Sequence, residues 1–260
     1  MILAALVLSL EATSRPEPAQ VQGWFYRSLR EVDPALHDHP APPPFALAVG
    51  GRAGGYWLRV TLLSEALYAG FSPRLYPLAG GRLRFGAQEV RVRAVLHDGH
   101  PWAGLTTYPR LFQGQVENDY PLRFVSPTFF KRKGNHYPLP EPKLVFRSLY
   151  ERFKAYAPIK PPEELPELFE RITFRKANLR TRPVEHDSRG VGIVGEAAYH
   201  LPRADEDEAR WLTALWRFAF FAGVGAKTTL GFGQVKPYLS KPKSRVDKED
   251  ANGSGGEQDS

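Results

Sequence analysis

Short apolar runs alternate along the chain with longer stretches whose apolar residues recur every three or four positions. In the first half, the apolar runs predict five strands, at residues 2–10, 45–49, 56–63, 82–85 and 89–96. The three- and four-residue spacing predicts two helices, one between Pro18 and Pro34 and one from an N-cap at Ser64 to about Leu75. The order strand, helix, strand, strand, helix, strand is that of the ferredoxin-like split βαβ unit.

The second half repeats this order without visible sequence identity to the first. The same patterns predict strands at residues 122–130, 172–181 and 190–200, and helical segments at residues 142–156, 163–171 and 205–222. A glycine-rich segment and a short final strand follow. The predicted fold class is therefore α+β, with tandem duplicated ferredoxin-like (RRM-like, split βαβ) domains. We place the domains at residues 1–115 and 116–240, and we predict that the charged, then Gly/Ser-rich, residues 241–260 form a disordered tail.

The amino acid composition indicates which chemical class of binding partner the protein has. The chain has 260 residues, a formal charge of +7 and a pI near 9.6, which favours a polyanionic partner. The absence of cysteine excludes disulfides, thiolate nucleophiles and cysteine-ligated zinc. Residues 2–10 have no preceding basic region and are followed at once by Glu11, so we interpret them as a strand buried on both faces. We accordingly expect a cytoplasmic protein that does not engage a membrane.

Residues 223–233 contain four glycines, two threonines and a lysine between a predicted helix and a predicted strand. The segment is not a Walker A loop, because Ala226 and Phe221 stand where glycines are required, and Thr228 replaces the third glycine of a dinucleotide fingerprint. An ordinary helix stop explains Gly223 alone. We therefore predict a loop whose backbone N–H groups bind phosphate or ribose. The candidate RNA-binding residues of this loop are Gly223, Gly225, Lys227, Thr228, Gly231 and Gly233.

Cations cluster in two further stretches of the second half. The candidate RNA-binding cations are Arg123, Lys131, Arg132, Lys133, Arg175 and Lys176. Phe129, Phe130, His136 and Tyr137 are interleaved with the first group. Cations can bind phosphates while aromatic rings stack on bases, which favours RNA as the partner. The alternative is a solvated face with core phenylalanines beneath it.

The histidines include two pairs, His37 with His39 and His97 with His100, but neither has a recognised metal-ligand spacing, so we predict no metal and no cofactor. His37 lies just after the first helix, whose exposed side carries Tyr26. Metal-free RNA cleavage requires one group to take the 2′-OH proton and another to protonate the leaving 5′-oxygen, and imidazole can do either. A surface histidine in a proline-rich loop is the alternative.

Three features together are similar to a known family: the loop at residues 223–233 after an aromatic-rich helix, the segment at residues 124–130, and the first strand followed by a Trp- and Tyr-containing helix and then His37. Over about residues 1–238 the chain resembles the CRISPR repeat-processing endoribonucleases of the RAMP (repeat-associated mysterious protein) superfamily. The resemblance implies metal-independent, sequence-selective cleavage of precursor CRISPR RNA to mature crRNA, with 2′,3′-cyclic phosphate and 5′-OH ends. It also implies binding of the repeat stem-loop or its 3′ flank.

The same resemblance assigns roles to particular residues. His37 matches the catalytic histidine of the family and Tyr26 matches a tyrosine often found on the preceding helix. The lysine that usually completes the set has no clear counterpart near His37, and the substitutes are Arg27, Arg30, Arg52 or Lys227. The resemblance leaves open a homodimer and contacts with CRISPR effector subunits. A non-catalytic crRNA-binding subunit is the alternative function, and a metal-dependent nuclease is a third.

Overall fold

The computed structural model describes residues 1–32, 42–186 and 188–238, without the side chains of residues 185–189. His37 and the predicted tail at residues 241–260 therefore lie outside the described residues. Within the described part, no helix is long and apolar enough to cross a membrane.

The first half forms a sheet flanked by two helices. Its elements are β1 (Ile2–Glu11), α1 (Pro18–Val32), β2 (Phe45–Arg52), β3 (Gly55–Leu62), α2 (Glu65–Leu75), β4 (Arg82–Phe85), β5 (Gln88–Leu96) and β6 (Gly104–Thr107). The sheet order is β2-β3-β1-β5-β4, and β6 also pairs with β1. Four of these strands, in the order β5-β1-β3-β2, form the antiparallel split βαβ arrangement, and β4 extends its edge.

The second half repeats that topology. Its elements are β7 (Asp119–Thr128), β8 (Phe130–Arg132), β9 (Asn135–Tyr137), α3 (Pro142–Tyr156), β10 (Thr173–His186), β11 (Ser188–His200), α4 (Glu206–Ala222) and β12 (Val235–Pro237). The antiparallel order β10-β11-β7-β12 matches β2-β3-β1-β5 of the first sheet. The predicted α+β class with tandem ferredoxin-like units is confirmed, as are the helix at residues 142–156 and the Ser64 N-cap, which accepts from Leu67 N–H.

Several element predictions need correction. The strand predicted at residues 122–130 ends at Thr128, and Phe130 begins the separate β8–β9 hairpin. The helical segment at residues 163–171 is a 3₁₀ turn, Leu165–Glu170. β6 was missed because its four residues show too little apolar periodicity, and β10 and β11 run further into their hairpin than predicted. Asp205 is the N-cap of α4, in a capping box with Glu208.

β1 joins the two halves through its two buried faces, as its unbroken apolar run predicted. Ala4 and Leu6 belong to the core of the first half. Leu3 and Ala5, which point to the opposite face, belong to the same core as α3 and α4. The two units therefore pack on each other through the first sheet.

Candidate functional site

Helix α1 lies against the glycine-rich loop, which we define as residues 223–233. Val21, Phe25 and Leu29 bury one face of α1 in the first core. On another face, Gln22 Nε2 donates a 2.7 Å hydrogen bond to Thr229 Oγ1 of the loop. This contact joins residues that are 207 positions apart in the chain. It brings the predicted catalytic helix and the predicted RNA-binding loop together across the two halves.

Tyr26 lies one helical turn after Gln22. Its ring packs edge-on against Phe45, with 5.5 Å between the ring centroids. Burial raises the pKa of the Tyr26 phenol above its usual value. Tyr26 therefore stays protonated at neutral pH, where it can donate a hydrogen bond but cannot act as a phenolate base.

α1 ends at Val32, and the segment that contains His37 follows it outside the described residues. The described chain resumes at Pro42, whose carbonyl oxygen accepts a hydrogen bond from the Tyr156 hydroxyl at the end of α3. The chain that carries His37 thus begins in the first half and returns beside a helix of the second half.

The glycines of the loop allow close packing inside the protein. Gly223, Gly225, Gly231 and Gly233 all have positive φ angles, between 67° and 88°. A Cβ atom on Gly225 would lie 2.4 Å from the Phe129 carbonyl oxygen, and one on Gly233 would lie 2.0 Å from that of Val224. No side chain larger than hydrogen fits at these two positions.

The N–H groups of three loop glycines donate within the protein, which corrects the prediction that they face a ligand. Gly223 N–H donates to Ala219 O, Gly225 N–H to Ser148 Oγ and Gly233 N–H to Pro127 O, at 2.9, 2.9 and 3.1 Å. The physical reason is that the loop closes against α3 and the end of β7, and this tight packing uses its backbone donors.

Lys227 and Thr228 have different surroundings in the loop. Thr228 is buried, and its methyl group would lie 3.1 Å from a Cβ at Gly223, so its side chain packs inside the loop. Its assignment as an RNA-binding residue stays a prediction. Lys227 has a left-handed backbone, with φ 55°, and a half-buried side chain at the start of the 3₁₀ turn Thr228–Leu230.

Arg152 of α3 anchors the glycine-rich loop through hydrogen bonds. The sequence analysis did not single out this residue. Its buried guanidinium donates through Nη1 to Ala222 O and through Nη2 to Gly225 O, the latter at 3.3 Å. Burial lowers the pKa of Arg152 to about 10, which leaves it charged at neutral pH. An arginine within the apolar stripe of a helix was the only available signal.

The cations Lys131, Arg132 and Lys133 form the tip of the β8–β9 hairpin, and their side chains are exposed. Lys133 and Gly134 have φ angles of 50° and 81°, as the two central residues of a tight hairpin turn require. Phe129 and Phe130 are buried and cannot stack on bases, and Phe129 stacks on His136 with 4.3 Å between the centroids. The two phenylalanines are therefore core residues beneath exposed cations, and RNA binding by those cations stays a prediction.

The remaining predicted cations lie on the second sheet. Arg123 forms an ion pair with Glu196, with Nη2 2.7 Å from Oε1. Arg175 pairs with Asp119 at 2.5 Å, and Lys176 is exposed on the edge strand β10. Within the described ranges, no three His, Asp or Glu side chains are grouped so that they could hold a metal ion.

Comparisons with known proteins agree over the whole fold. The sequence model of the family described as CRISPR-associated endoribonuclease Cas6 matches residues 122–235. Cas6 proteins of two Mycobacterium tuberculosis strains are 26% identical over 257 residues, which covers 94% of this chain and 81% of theirs.

Solved Cas6 structures are more similar. A Cas6 product complex shares 55% identity and a TM-score of 0.88, covering 92% of this chain and 100% of that one. An H37A mutant of the same Cas6 shares 54% identity and a TM-score of 0.82, with the same coverage. A Thermus thermophilus Cas6 shares 32% identity and a TM-score of 0.72, covering 91% of this chain and 98% of its own. The chain therefore belongs to the CRISPR-associated endoribonuclease Cas6 family.

Proposed function

We propose that this protein cleaves CRISPR repeat RNA in precursor transcripts, without a metal ion, to give mature crRNA. The observation that carries the proposal is the match over the full length of a Cas6 that was solved as a product complex, as a substrate mimic complex and as an H37A mutant. The histidine replaced in that mutant has the same number as His37 of this chain.

In the proposed reaction, His37 acts as the general base or the general acid. As a base it takes the proton of the ribose 2′-OH, and the 2′-oxygen attacks the adjacent phosphorus while the bond from phosphorus to the 5′-oxygen breaks. The leaving 5′-oxygen takes up a proton from water, and the protonated His37 then returns its proton to solvent. The products are a 2′,3′-cyclic phosphate and a 5′-OH. Tyr26, protonated and held by Phe45, donates a hydrogen bond that orients the 2′-OH.

Lys227 is the cation that we assign to the phosphate next to the cleavage site. The observation that supports this assignment is the position of the loop that carries Lys227, which is hydrogen-bonded to α1 through Gln22 and Thr229. A positive charge at this place stabilises the charge that develops on the phosphate during attack. Arg27 and Arg30 lie on α1 and Arg52 ends β2, so they serve as alternatives for the same role.

We assign RNA-backbone contacts to the exposed cations of the second half, at the β8–β9 hairpin and on β10. In this proposal, these exposed side chains bind the repeat stem-loop or its 3′ flank through phosphates. Association with effector subunits, or with a second copy of the chain, stays a prediction.

End-labelled cognate repeat RNA, incubated with the protein in EDTA, tests the proposal. We expect cleavage in EDTA, a product that carries a cyclic phosphate, and no cleavage when the nucleotide before the cut is 2′-deoxy. His37→Ala should slow cleavage by at least about 100-fold, the usual range for loss of a general acid or base. Tyr26→Phe, which keeps the ring but removes the donor, should slow it less.

Each contrary result identifies a different function. Cleavage of the deoxy RNA would exclude 2′-OH attack, and loss of activity in EDTA would indicate a metal-dependent nuclease. Tight binding of the repeat without cleavage would indicate a non-catalytic crRNA-binding subunit.

A further inference from the structure

The outer face of the second sheet, opposite α3 and α4, carries a row of polar side chains across all four strands. Lys236 of β12 is paired with Arg123 of β7, Arg123 with Glu196 of β11, and Glu196 with Asn178 of β10. Because directly paired residues of neighbouring strands project to the same side of a sheet, these four residues share one face. A cavity of about 690 Å³ opens on it, and we call this cavity the sheet-face pocket. Its side-chain lining includes Arg123, Val125, Asn178, Arg180, Val194 and Glu196.

The pocket exists because the sheet is irregular at this place. The pairing of β11 with β7 shifts register between Ile193 and Gly195. Gly195 has a φ of 127°, and a Cβ there would lie 2.2 Å from Asn178 O, so only glycine fits this irregular position of β11. Val125 is 47% exposed and Val194 is half-buried beside it. The result is an apolar floor within a polar rim, at a size typical of small-ligand pockets, about 300–1,000 Å³.

Two of the four polar side chains that line the pocket are open to a ligand. The exposed side chains of Asn178 and Arg180 make no hydrogen bond or ion pair with any residue that the structure describes. Arg123 and Glu196 are paired with each other, and Glu196 also accepts from the Tyr238 hydroxyl at 3.2 Å.

Further cations surround the pocket. Lys176 and Arg182 are exposed on β10, two residues before Asn178 and two residues after Arg180, on the same face. With Arg123, Arg180 and Lys236, five cations lie in or beside the pocket, whose described lining includes one carboxylate, Glu196, and this balance favours a polyanion over a neutral ligand.

We propose that the sheet-face pocket binds an unpaired nucleotide of the RNA, so that this face contacts a single-stranded segment rather than the stem. The base lies on the apolar floor of Val125 and Val194, with Asn178 and Glu196 at its edge, and Arg180 binds the adjoining phosphate. A base in a duplex is stacked and paired and cannot enter such a pocket, whereas an unpaired base can be splayed out. The proposal rests on the proposed function only in taking RNA as the substrate.

Binding of uncleavable RNA tests this assignment separately from catalysis. The probes are the cognate repeat hairpin with unpaired nucleotides on both sides and the same hairpin without them, each 2′-deoxy at the cut. Arg180→Ala should weaken binding of the flanked RNA about fivefold to tenfold and make its salt dependence shallower by about one phosphate contact. It should leave binding of the bare hairpin unchanged.

Asn178→Ala should reduce discrimination among bases at one unpaired position by about tenfold. Arg210→Ala is the matched control, since it removes an exposed arginine from α4, on the other side of the sheet, and should change neither affinity. Unchanged binding in both sheet variants, or an equal loss for the bare hairpin, would overturn the proposal. Preserved flank binding by a protein that cleaves no repeat would contradict only the proposed function.

Discussion

At the scale of single residues, the closely spaced glycines of the glycine-rich loop are compatible with two roles, ligand binding and tight internal packing. Four glycines beside a lysine indicated backbone N–H groups presented to a phosphate. Instead, Gly225 and Gly233 bring the loop within contact of the Phe129 and Val224 carbonyl groups. Glycine is required in both cases, because a Cβ would prevent the close approach of the backbone either to a bound phosphate or to another segment of the protein. The amino acid sequence does not say whether that neighbour is a ligand or the protein itself.

Gly225→Ala should destabilise the fold well beyond the cost of its backbone conformation. Gly54→Ala is the matched control, because Gly54 has a φ of 88° against 82° at Gly225 and nothing within 4 Å of its missing Cβ. The control should lose about 1 kcal/mol in the free energy of unfolding. Gly225→Ala should lose roughly 2 kcal/mol more, because its Cβ meets backbone. Urea unfolding measures the free energy of unfolding of both variants. Equal losses would show that the loop can shift to accommodate a Cβ at Gly225 without further cost.

At the scale of elements, α1 and the glycine-rich loop act as one unit although they lie in different halves. A hydrogen bond joins Gln22 to Thr229. Gln22 lies one helical turn before Tyr26 on α1, and Thr229 lies two residues after Lys227 in the loop. α3 holds the same loop from the other side, since Ser148 Oγ accepts from Gly225 N–H and Arg152 donates to Gly225 O. The relative placement of Tyr26 and Lys227 therefore depends on a few side-chain contacts.

Gln22→Ala should lower the single-turnover cleavage rate about tenfold, because small misplacements of reacting groups are costly. The affinity for uncleavable RNA should change by less than about twofold. Ser28→Ala is the control, since Ser28 Oγ donates to Trp24 O within α1 itself. Thr229→Val removes the acceptor, so the double variant with Gln22→Ala should be no slower than Gln22→Ala alone. A fully additive loss would argue against the hydrogen bond.

At the scale of the whole molecule, Arg59 of β3 fastens the first half to the second. Its buried guanidinium donates to Gln234 Oε1 at 2.7 Å and to Phe220 O at 2.6 Å, and its Nε donates to Trp102 O at 3.0 Å. Its charge also lies 4.4 Å from the Phe220 ring centroid. Burial lowers the pKa of Arg59 to about 9, so it remains charged at neutral pH. The division into domains at residues 115 and 116 stays a prediction, and such a contact would couple the two.

Arg59→Met should cost roughly 3 kcal/mol or more in the free energy of unfolding, because it leaves two buried acceptors and one partly buried acceptor without their donor. Methionine preserves most of the side-chain length, so the loss reports the polar contacts. The surface pair of Arg93 and Glu11 is the comparison, at 3.2 Å and half exposed. Arg93→Ala should cost less than about 1 kcal/mol. A loss in Arg59→Met no greater than this would show that the halves are held by apolar packing alone.

The amino acid sequence by itself determined the helices, most strand positions and the duplicated α+β topology, because hydrophobic periodicity is a local property of the chain. It also located the exposed cations and, by resemblance, the Cas6 family to which the chain belongs. It misjudged the loop N–H groups and missed Arg59, Arg152 and the sheet-face pocket. These depend on partners far away in the chain, such as Gln234, 175 positions after Arg59, and Gly225, 73 positions after Arg152. Only the tertiary structure decides which distant groups meet, because a donor finds its acceptor through packing and not through neighbouring sequence.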